Sequence, residues 1–371
     1  MNFKKLVLLV RDAWLVLGIT LALLFFIEII LSFFFYYRDS KVKDYRIFAD
    51  AYQNSDWEKD YYKEFHEPHN LQWFSYVYWR RKQVQGQYIN VDHGGIRKTW
   101  SAISWPDRMA SHPSIFFFGG STVWGTGVRD DFTIPSSFAK KLASNGIDAQ
   151  VINFGESGYV STQEVITLIR ELQKGNIPDL VIFYNGANDT FSAFQQHLAG
   201  IPQNEFNRVK EFNASIWPAI SSHLSTIRFV KSLSSRLGTD NNFTDVRNNK
   251  ALVKDVLDIY EKNIEIVNAL AKHYSFKALF YWQPTIFEKK GLTKYEEKER
   301  EKRSYMQPFF DMTNKQLRER GKYEPGFHNL SLIFSDMPEP LFLDWCHLGE
   351  RGNEYIAKHL ADDALSIMSV E

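Results

Sequence analysis

The chain has 371 residues, 44% of them hydrophobic, enough for a large buried core in one or two domains and too apolar for a disordered or collagen-like polymer. Lys plus Arg and Asp plus Glu number 44 each, so the net charge is zero and no basic field points to a nucleic-acid partner. The single cysteine, Cys346, excludes an intrachain disulfide framework and a multi-cysteine zinc site, and the unusual feature is a 16% aromatic content with 30 Phe.

Part of that aromatic surplus lies near the N-terminus. Trp14 to Tyr37 reads WLVLGITLALLFFIEIILSFFFYY, interrupted only by Gly18, Thr20, Glu28 and Ser32. At about 1.5 Å per residue such a helix crosses a hydrocarbon core of roughly 30 Å. The sequence thus predicts one transmembrane helix over residues 13–37, after a short cytoplasmic tail at 1–12. Phe33–Tyr37 suits an interfacial aromatic belt and Trp14 the opposite interface. The run exceeds the apolar core of a cleaved signal peptide and no small-x-small site comes after it, which favours an uncleaved signal-anchor. Glu28 is read as a neutral or snorkelling acid in a single-span anchor, with a helix partner in the membrane as the other reading. Lys4, Lys5 and Arg11 before the span nearly balance Arg38, Lys41, Lys43 and Arg46 after it. Because long soluble domains translocate largely regardless of flanking charge, the bulk of the chain is expected on the extracytoplasmic side, periplasmic or extracellular.

Residues 38–110 are polar and rich in aromatics, among them Trp57, Tyr61, Tyr62, Trp73 and Trp79, and read as a lead-in packed on the domain C-terminal to it. Tyr88–Arg97 has the pattern of a short strand ending in a turn. His66 and His69 flank Pro68 without a third ligand and read as surface residues, so no metal or cofactor is expected.

From residue 111 to 371 short apolar runs alternate with helical patterns. Strands are predicted at Ser114–Phe118, Ala149–Asn153, Leu180–Tyr184, Phe276–Trp282 and Leu330–Phe334. Helices are predicted at Ile134–Ser144, Thr162–Lys174, Ala251–His273, Lys294–Arg320 and Gly352–Met368. That alternation implies a parallel sheet between helix layers, with an insert at about 190–249 whose Phe191, Phe194, Phe206, Phe212 and Trp217, with the polar run Gly238–Phe243, could form a partial lid on a substrate site or equally pack on the lead-in or the bilayer surface.

In such sheets ligands bind beyond the carboxyl ends of the strands. Ser121 follows Gly119 and Gly120 after the first of these strands, Gly158 follows the second, Asn188 the third, and Asp344 and His347 precede the last helix. A nucleophilic serine needs a base within reach and an acid to orient that base, and Asp344 and His347 are spaced to provide both. The N–H groups of Ser121 and Gly158 and the side-chain amide of Asn188 could receive a developing oxyanion. Each fragment alone also has a plain structural reading, as a turn or a helix cap. Cys346 is read as a buried thiol, and Gln283-Pro284 as either a pocket lining or a turn. The Gly-x-Ser-x-Gly elbow of the lipases is absent, Val123 standing in place of its second glycine.

Gly119-Gly120-Ser121, Asn153-Phe-Gly-Glu-Ser-Gly158, Gly186-Ala-Asn188-Asp189 and Asp344-Trp-Cys-His347 together resemble the four blocks of the SGNH, or GDSL-type, hydrolases over about residues 112–369. The resemblance implies a flavodoxin-like α/β/α sandwich and ester hydrolysis through a serine acyl-enzyme. It also implies Ser121 as nucleophile, His347 as base, Asp344 as its orienter, and Ser121, Gly158 and Asn188 as the oxyanion hole. The departure is Gly120, where the family's name motif has Asp. The reading reached is a membrane-anchored serine esterase acting on an acyl ester, acetyl in the first instance, of an extracytoplasmic glycan or lipid. An acyltransferase to a sugar hydroxyl and a non-catalytic binding module stand as alternatives, and protein partners are unknown.

Overall fold

The computed structural model describes residues 3–39, 44–53, 55–66, 71–101, 112–213, 225–227, 229, 246–321 and 325–368. They fall into two compact units, residues 1–44 with 206–242, and residues 45–205 with 243–371. His69, Trp217 and the polar run at 238–243 lie outside the described residues.

The first unit is dominated by α1 (Phe3–Asp39), a helix of 37 residues. It begins at Phe3, ahead of the predicted residue 13, because Lys4, Lys5 and Arg11 are good helix formers and nothing before Trp14 breaks the run. Over Phe3–Phe35 it is long and apolar enough to cross a bilayer or to serve as a signal sequence. Glu28 on this helix is hydrogen-bonded within the chain. Its carboxylate accepts the backbone N–H groups of Ser225 and Thr226, the latter at 2.9 Å, and Ser32 Oγ lies 2.8 Å from Ser225 Oγ. Glu28 thus finds its hydrogen-bond partners in the chain's own insert.

The second unit carries the sheet. Ahead of it come α2 (Glu58–Phe65) and two small antiparallel pairs, β1 (Leu71–Phe74) with β2 (Tyr78–Arg81) and β3 (Val84–Gln85) with β4 (Asn90–Val91). The expected strand at Tyr88–Arg97 is thus only Asn90–Val91, since Asp92 Oδ1 accepts the N–H groups of Gly94 and Ile96 and turns the chain. The main sheet comprises β5 (Ser114–Gly119), β6 (Gln150–Asn153), β7 (Leu180–Asn185), β8 (Lys277–Trp282) and β9 (Phe327–Asn329), all parallel, in the order β6-β5-β7-β8-β9.

The helices are α3 (Ser121–Trp124), α4 (Ile134–Ser144), α5 (Ser161–Gln173), α6 (Ala187–Gln196), α7 (Lys250–Tyr274), α8 (Lys294–Lys302), α9 (Gln307–Arg320) and α10 (Glu350–Met368). Right-handed crossovers assign them to layers. The chain steps from β5 to β6 in one direction and then back across β5 to β7, β8 and β9, so α4 covers one face and α5, α7 and α9 the other. Accordingly α10 packs on α4, and α7 packs on α5, α6 and α9. This is a flavodoxin-like α/β/α sandwich, as expected.

The Phe surplus now has a place. Rings of Phe154, Phe118, Phe183 and Phe280 stack in a row across the sheet, with centroids 5.2, 4.9 and 5.5 Å apart. Each such buried ring stabilises the fold by roughly 2–3 kcal/mol relative to exposure.

Two predicted elements differ. The single helix Lys294–Arg320 is two helices, because Pro308 sits in the first turn of α9, lacks an N–H and disfavours helix in the residue before it. The turn between them sends Met306 into the core. The last strand is Phe327–Asn329 and not Leu330–Phe334, because Asn329 Oδ1 accepts the Ser331 N–H and converts the apolar run into turns that bury Leu330 and Phe334.

Candidate active site

The winding of the sheet reverses between β5 and β7, which leaves a crevice at the carboxyl edge there. Ser121 leaves β5 and Asn188 leaves β7, one on each side of it. Gly158 arrives on the loop after β6. Asp344 and His347 arrive on a loop closed by the Leu343 N–H donating to His347 O at 2.8 Å.

These residues meet. Ser121 Oγ lies 2.7 Å from His347 Nε2, and His347 Nδ1 lies 2.7 Å from Asp344 Oδ2. Asp344 Oδ1 also accepts the N–H groups of Cys346 at 3.0 Å and His347 at 2.9 Å, which locks the loop around the carboxylate. Burial raises the Asp344 pKa, but the His347 charge and hydrogen bonds, with Arg46, outweigh it and hold the carboxyl well below the usual carboxylate range. An ionised Asp344 can only accept, so His347 Nδ1 carries the proton and Nε2 is left to accept from the Ser121 hydroxyl. Asp344 is buried, while Ser121 and His347 are partly exposed. Cys346 is a bystander: burial, with Asp344 beside it, pushes its thiol well up, so it stays protonated.

The side of Ser121 facing Gly158 and Asn188 is equally ordered. Gly158 has φ +78°, a left-handed conformation that favours glycine. Among the described residues neither the Ser121 nor the Gly158 N–H is taken by a protein acceptor. Asn188 Nδ2 donates one hydrogen to Tyr159 O at 2.8 Å, and its Oδ1 accepts from Gln203 Nε2 at 3.2 Å. The amide is pinned from both ends with one N–H to spare. A Cβ at position 120 would come within 2.2 Å of Asn188 Nδ2, so Gly120 is the residue that lets the amide occupy this place.

Further residues build the surroundings, and the sequence did not single out Gln203, Arg46, Arg97 or Glu156 for the site. Besides Gln203, the lead-in contributes Arg46, whose Nη1 is 3.4 Å from Asp344 Oδ2, and Arg97, which is buried against Asp130 at 2.9 Å and donates to the carbonyls of Trp124, Gly125 and Val128 behind α3. Glu156 accepts the N–H groups of Ser157 and Arg81, and Trp79 Nε1 donates to Ser157 O at 2.8 Å, fastening the Gly158 loop to β2. Gln283 is a brace, accepting from Thr122 Oγ1 at 3.1 Å next to the serine. Of the insert aromatics, Phe191 stands beside Trp345 at 5.6 Å, whereas Phe194 is in the core and Phe206 and Phe212 are exposed.

Behind Asn188 lies a buried polar layer. Asp189 Oδ1 accepts the N–H and hydroxyl of Ser161, Asn263 Nδ2 donates to Ser161 Oγ, and Asn185 links Glu164 to the Tyr260 hydroxyl. Burial, reinforced by Asp189, pushes the Glu164 carboxyl well up, and burial raises Asp189 against its Ser161 hydrogen bonds.

A doubly wound sheet with a hydroxyl, an imidazole and a carboxylate in one hydrogen-bonded line at its switch point has the layout of an acyl hydrolase. Residues 115–360 match the family model for GDSL-like lipase/acylhydrolase, so the chain belongs to that family and is an ester-bond hydrolase. No curated protein matches it. Among solved structures it is similar to an acetyl xylan esterase, AlAXEase, at 16% identity over 67% of this chain and 98% of that one with a TM-score of 0.37. It is similar to a lipase/acylhydrolase from Enterococcus faecalis at 14% identity over 68% and 94%, TM-score 0.36. An acetyl-xylooligosaccharide esterase from Geobacillus Stearmophilus matches at 16% identity over 70% and 95%, TM-score 0.35.

Proposed function

We propose that this chain is a membrane-anchored serine esterase that releases an acyl group from an ester on a glycan or lipid at the extracytoplasmic face. The observation that carries the reading is the Asp344–His347–Ser121 line, with both links at 2.7 Å. Ser121 Oγ attacks the ester carbonyl as His347 Nε2 takes its proton, and Asp344 stays ionised beneath the imidazolium. The Ser121 and Gly158 N–H groups and the spare Asn188 N–H receive the oxyanion. Collapse expels the alcohol with the proton from His347, and water activated by the same base hydrolyses the acyl-enzyme. In this reading residues 13–37 span the membrane, 38–110 form the lead-in, and 111–371 form the catalytic domain with its insert at about 190–249.

A serine-directed phosphonate should block p-nitrophenyl acetate hydrolysis and leave its adduct on the peptide containing Ser121. An adduct elsewhere with full loss of activity overturns the assignment. For the anchor, fusions at the C-terminus should light up a reporter that works only outside the cytoplasm. Activity from a cytoplasm-only reporter instead would reverse the orientation.

The Asn188 role makes a sharper prediction at Gly120. Gly120→Ala places a methyl on the pinned amide, which must swing away, and the backbone there is ordinary extended chain, so the fold tolerates it. Losing one oxyanion donor costs about 10²–10³ in kcat. The expected outcome is a fall of that order with melting temperature and KM nearly unchanged, and an unaltered kcat removes Asn188 from the oxyanion hole.

A further inference from the structure

We propose that Arg46, which lies outside the region matched by the family, is a positioning residue that sets the protonation range of the His347–Ser121 pair and extends ester hydrolysis to lower pH. The proposal rests on the roles given above to Ser121, His347 and Asp344.

The geometry is specific. Arg46 Nη1 lies 3.4 Å from Asp344 Oδ2, the same oxygen that accepts the His347 Nδ1 proton at 2.7 Å. The Arg46 guanidinium is held by two rings, its carbon 4.9 Å from the Tyr62 centroid and 5.5 Å from that of Phe65. Its side chain is only 12% exposed and that of Asp344 only 7%, so water screens the pair weakly. Guanidinium does not deprotonate in proteins, which makes Arg46 a fixed cation.

A fixed cation at Oδ2 has two consequences. It keeps Asp344 ionised, and it offsets part of the carboxylate charge that stabilises imidazolium, so removing Arg46 favours the imidazolium form. Neutral imidazole is the form that takes the serine proton.

Among the described residues the other groups facing Asp344 do not duplicate this effect. On its own loop Cys346 stays a thiol. Beside Arg46 on the lead-in, Tyr45 is pushed up to about 12 by burial and the Asp344 charge, and on α8 Tyr295 is pushed up by burial, Glu299 and Asp344, so both remain neutral phenols. Tyr295 donates to Leu343 O at 2.7 Å. Glu299, ion-paired with Lys302, and Arg303 act on Tyr45, and Arg303 also on Cys346.

The test is the pH profile of kcat/KM for p-nitrophenyl acetate in the full chain and in Arg46→Met, Arg46→Gln and Arg46→Lys. Arg46 faces the oxygen that holds the His347 Nδ1 proton, so removing its charge should move the acidic limb up by about one unit in the neutral variants. At about pH 6 they should lose roughly tenfold, recover at about pH 8.5, and Arg46→Lys should restore the wild-type limb. The Gln variant carries the comparison if the Met variant does not fold. A purely structural role would lower activity equally at every pH, and an unmoved limb overturns the proposal. Phosphonate labelling separates the two failures: wild type labelled at Ser121 with an unmoved limb sinks only the Arg46 inference, whereas wild type unlabelled at Ser121 sinks the catalytic reading beneath it.

Discussion

Replacing Ser121 by alanine is expected to remove ester hydrolysis and leave the protein folded. Ser121 opens a four-residue helix, is partly exposed, and its side chain hydrogen-bonds His347, so truncation leaves no buried group stranded. One such hydrogen bond is worth about 1 kcal/mol in stability, and the melting temperature should barely move. The chemistry has no substitute. Cys346 Sγ lies 3.7 Å from the wrong imidazole nitrogen, Nδ1, and its thiol is held protonated. Loss of a nucleophile in a hydrogen-bonded triad lowers kcat by about 10⁴-fold or more, the residue of rate enhancement coming from the oxyanion donors and binding. Hydrolysis of p-nitrophenyl acetate by purified Ser121→Ala, with its melting curve alongside, checks both halves. A folded variant within tenfold of wild type would falsify the nucleophile assignment.

The residues that could be found in the sequence were those whose surroundings are local. Ser121, Gly158 and Asn188 follow closely on the ends of β5, β6 and β7, and the Asp344–His347 pair shortly precedes α10, so glycine, element end and polar residue lie near one another in the chain. The parallel sheet was equally legible, because strands buried on both faces read as unbroken apolar runs, as in Leu180–Asn185. What escaped was set by distance along the chain. Gln203 orients Asn188 from 15 residues away and Arg46 reaches Asp344 across 298, and neither stands in a pattern that marks it. Glu164 and Asn263 occupy helix positions that suit solvent as well as a buried network, and only tertiary packing decides between them. The errors at 294–320 and 330–334 have a different source, since a proline or an Asx turn can interrupt an apolar pattern without changing it.

Asp344→Asn is expected to be nearly as damaging as loss of the serine, for a reason that lies in proton placement. Asp344 Oδ2 is where the His347 Nδ1 proton points, and Arg46 Nη1 faces the same oxygen. An asparagine can offer that corner either its oxygen or its NH₂. Oδ1 is already committed to the N–H groups of Cys346 and His347, so the carbonyl is drawn there and the NH₂ falls opposite Nδ1. Nδ1 must then accept, the proton moves to Nε2, and Nε2–H can no longer take the Ser121 proton. Wrong-tautomer arrangements of this kind lower kcat by about 10⁴. The same substitution removes the carboxylate from the Arg46–Asp344 pair, whose side chains are 12% and 7% exposed, and breaking a largely buried ion pair costs about 3 kcal/mol. The variant should therefore combine a kcat loss near 10⁴ with a melting temperature several degrees lower, whereas Ser121→Ala shows only the first. Double substitution Asp344→Asn with Arg46→Met should regain none of the rate. If activity returned, the damage would lie in the lost ion pair and not in the histidine tautomer.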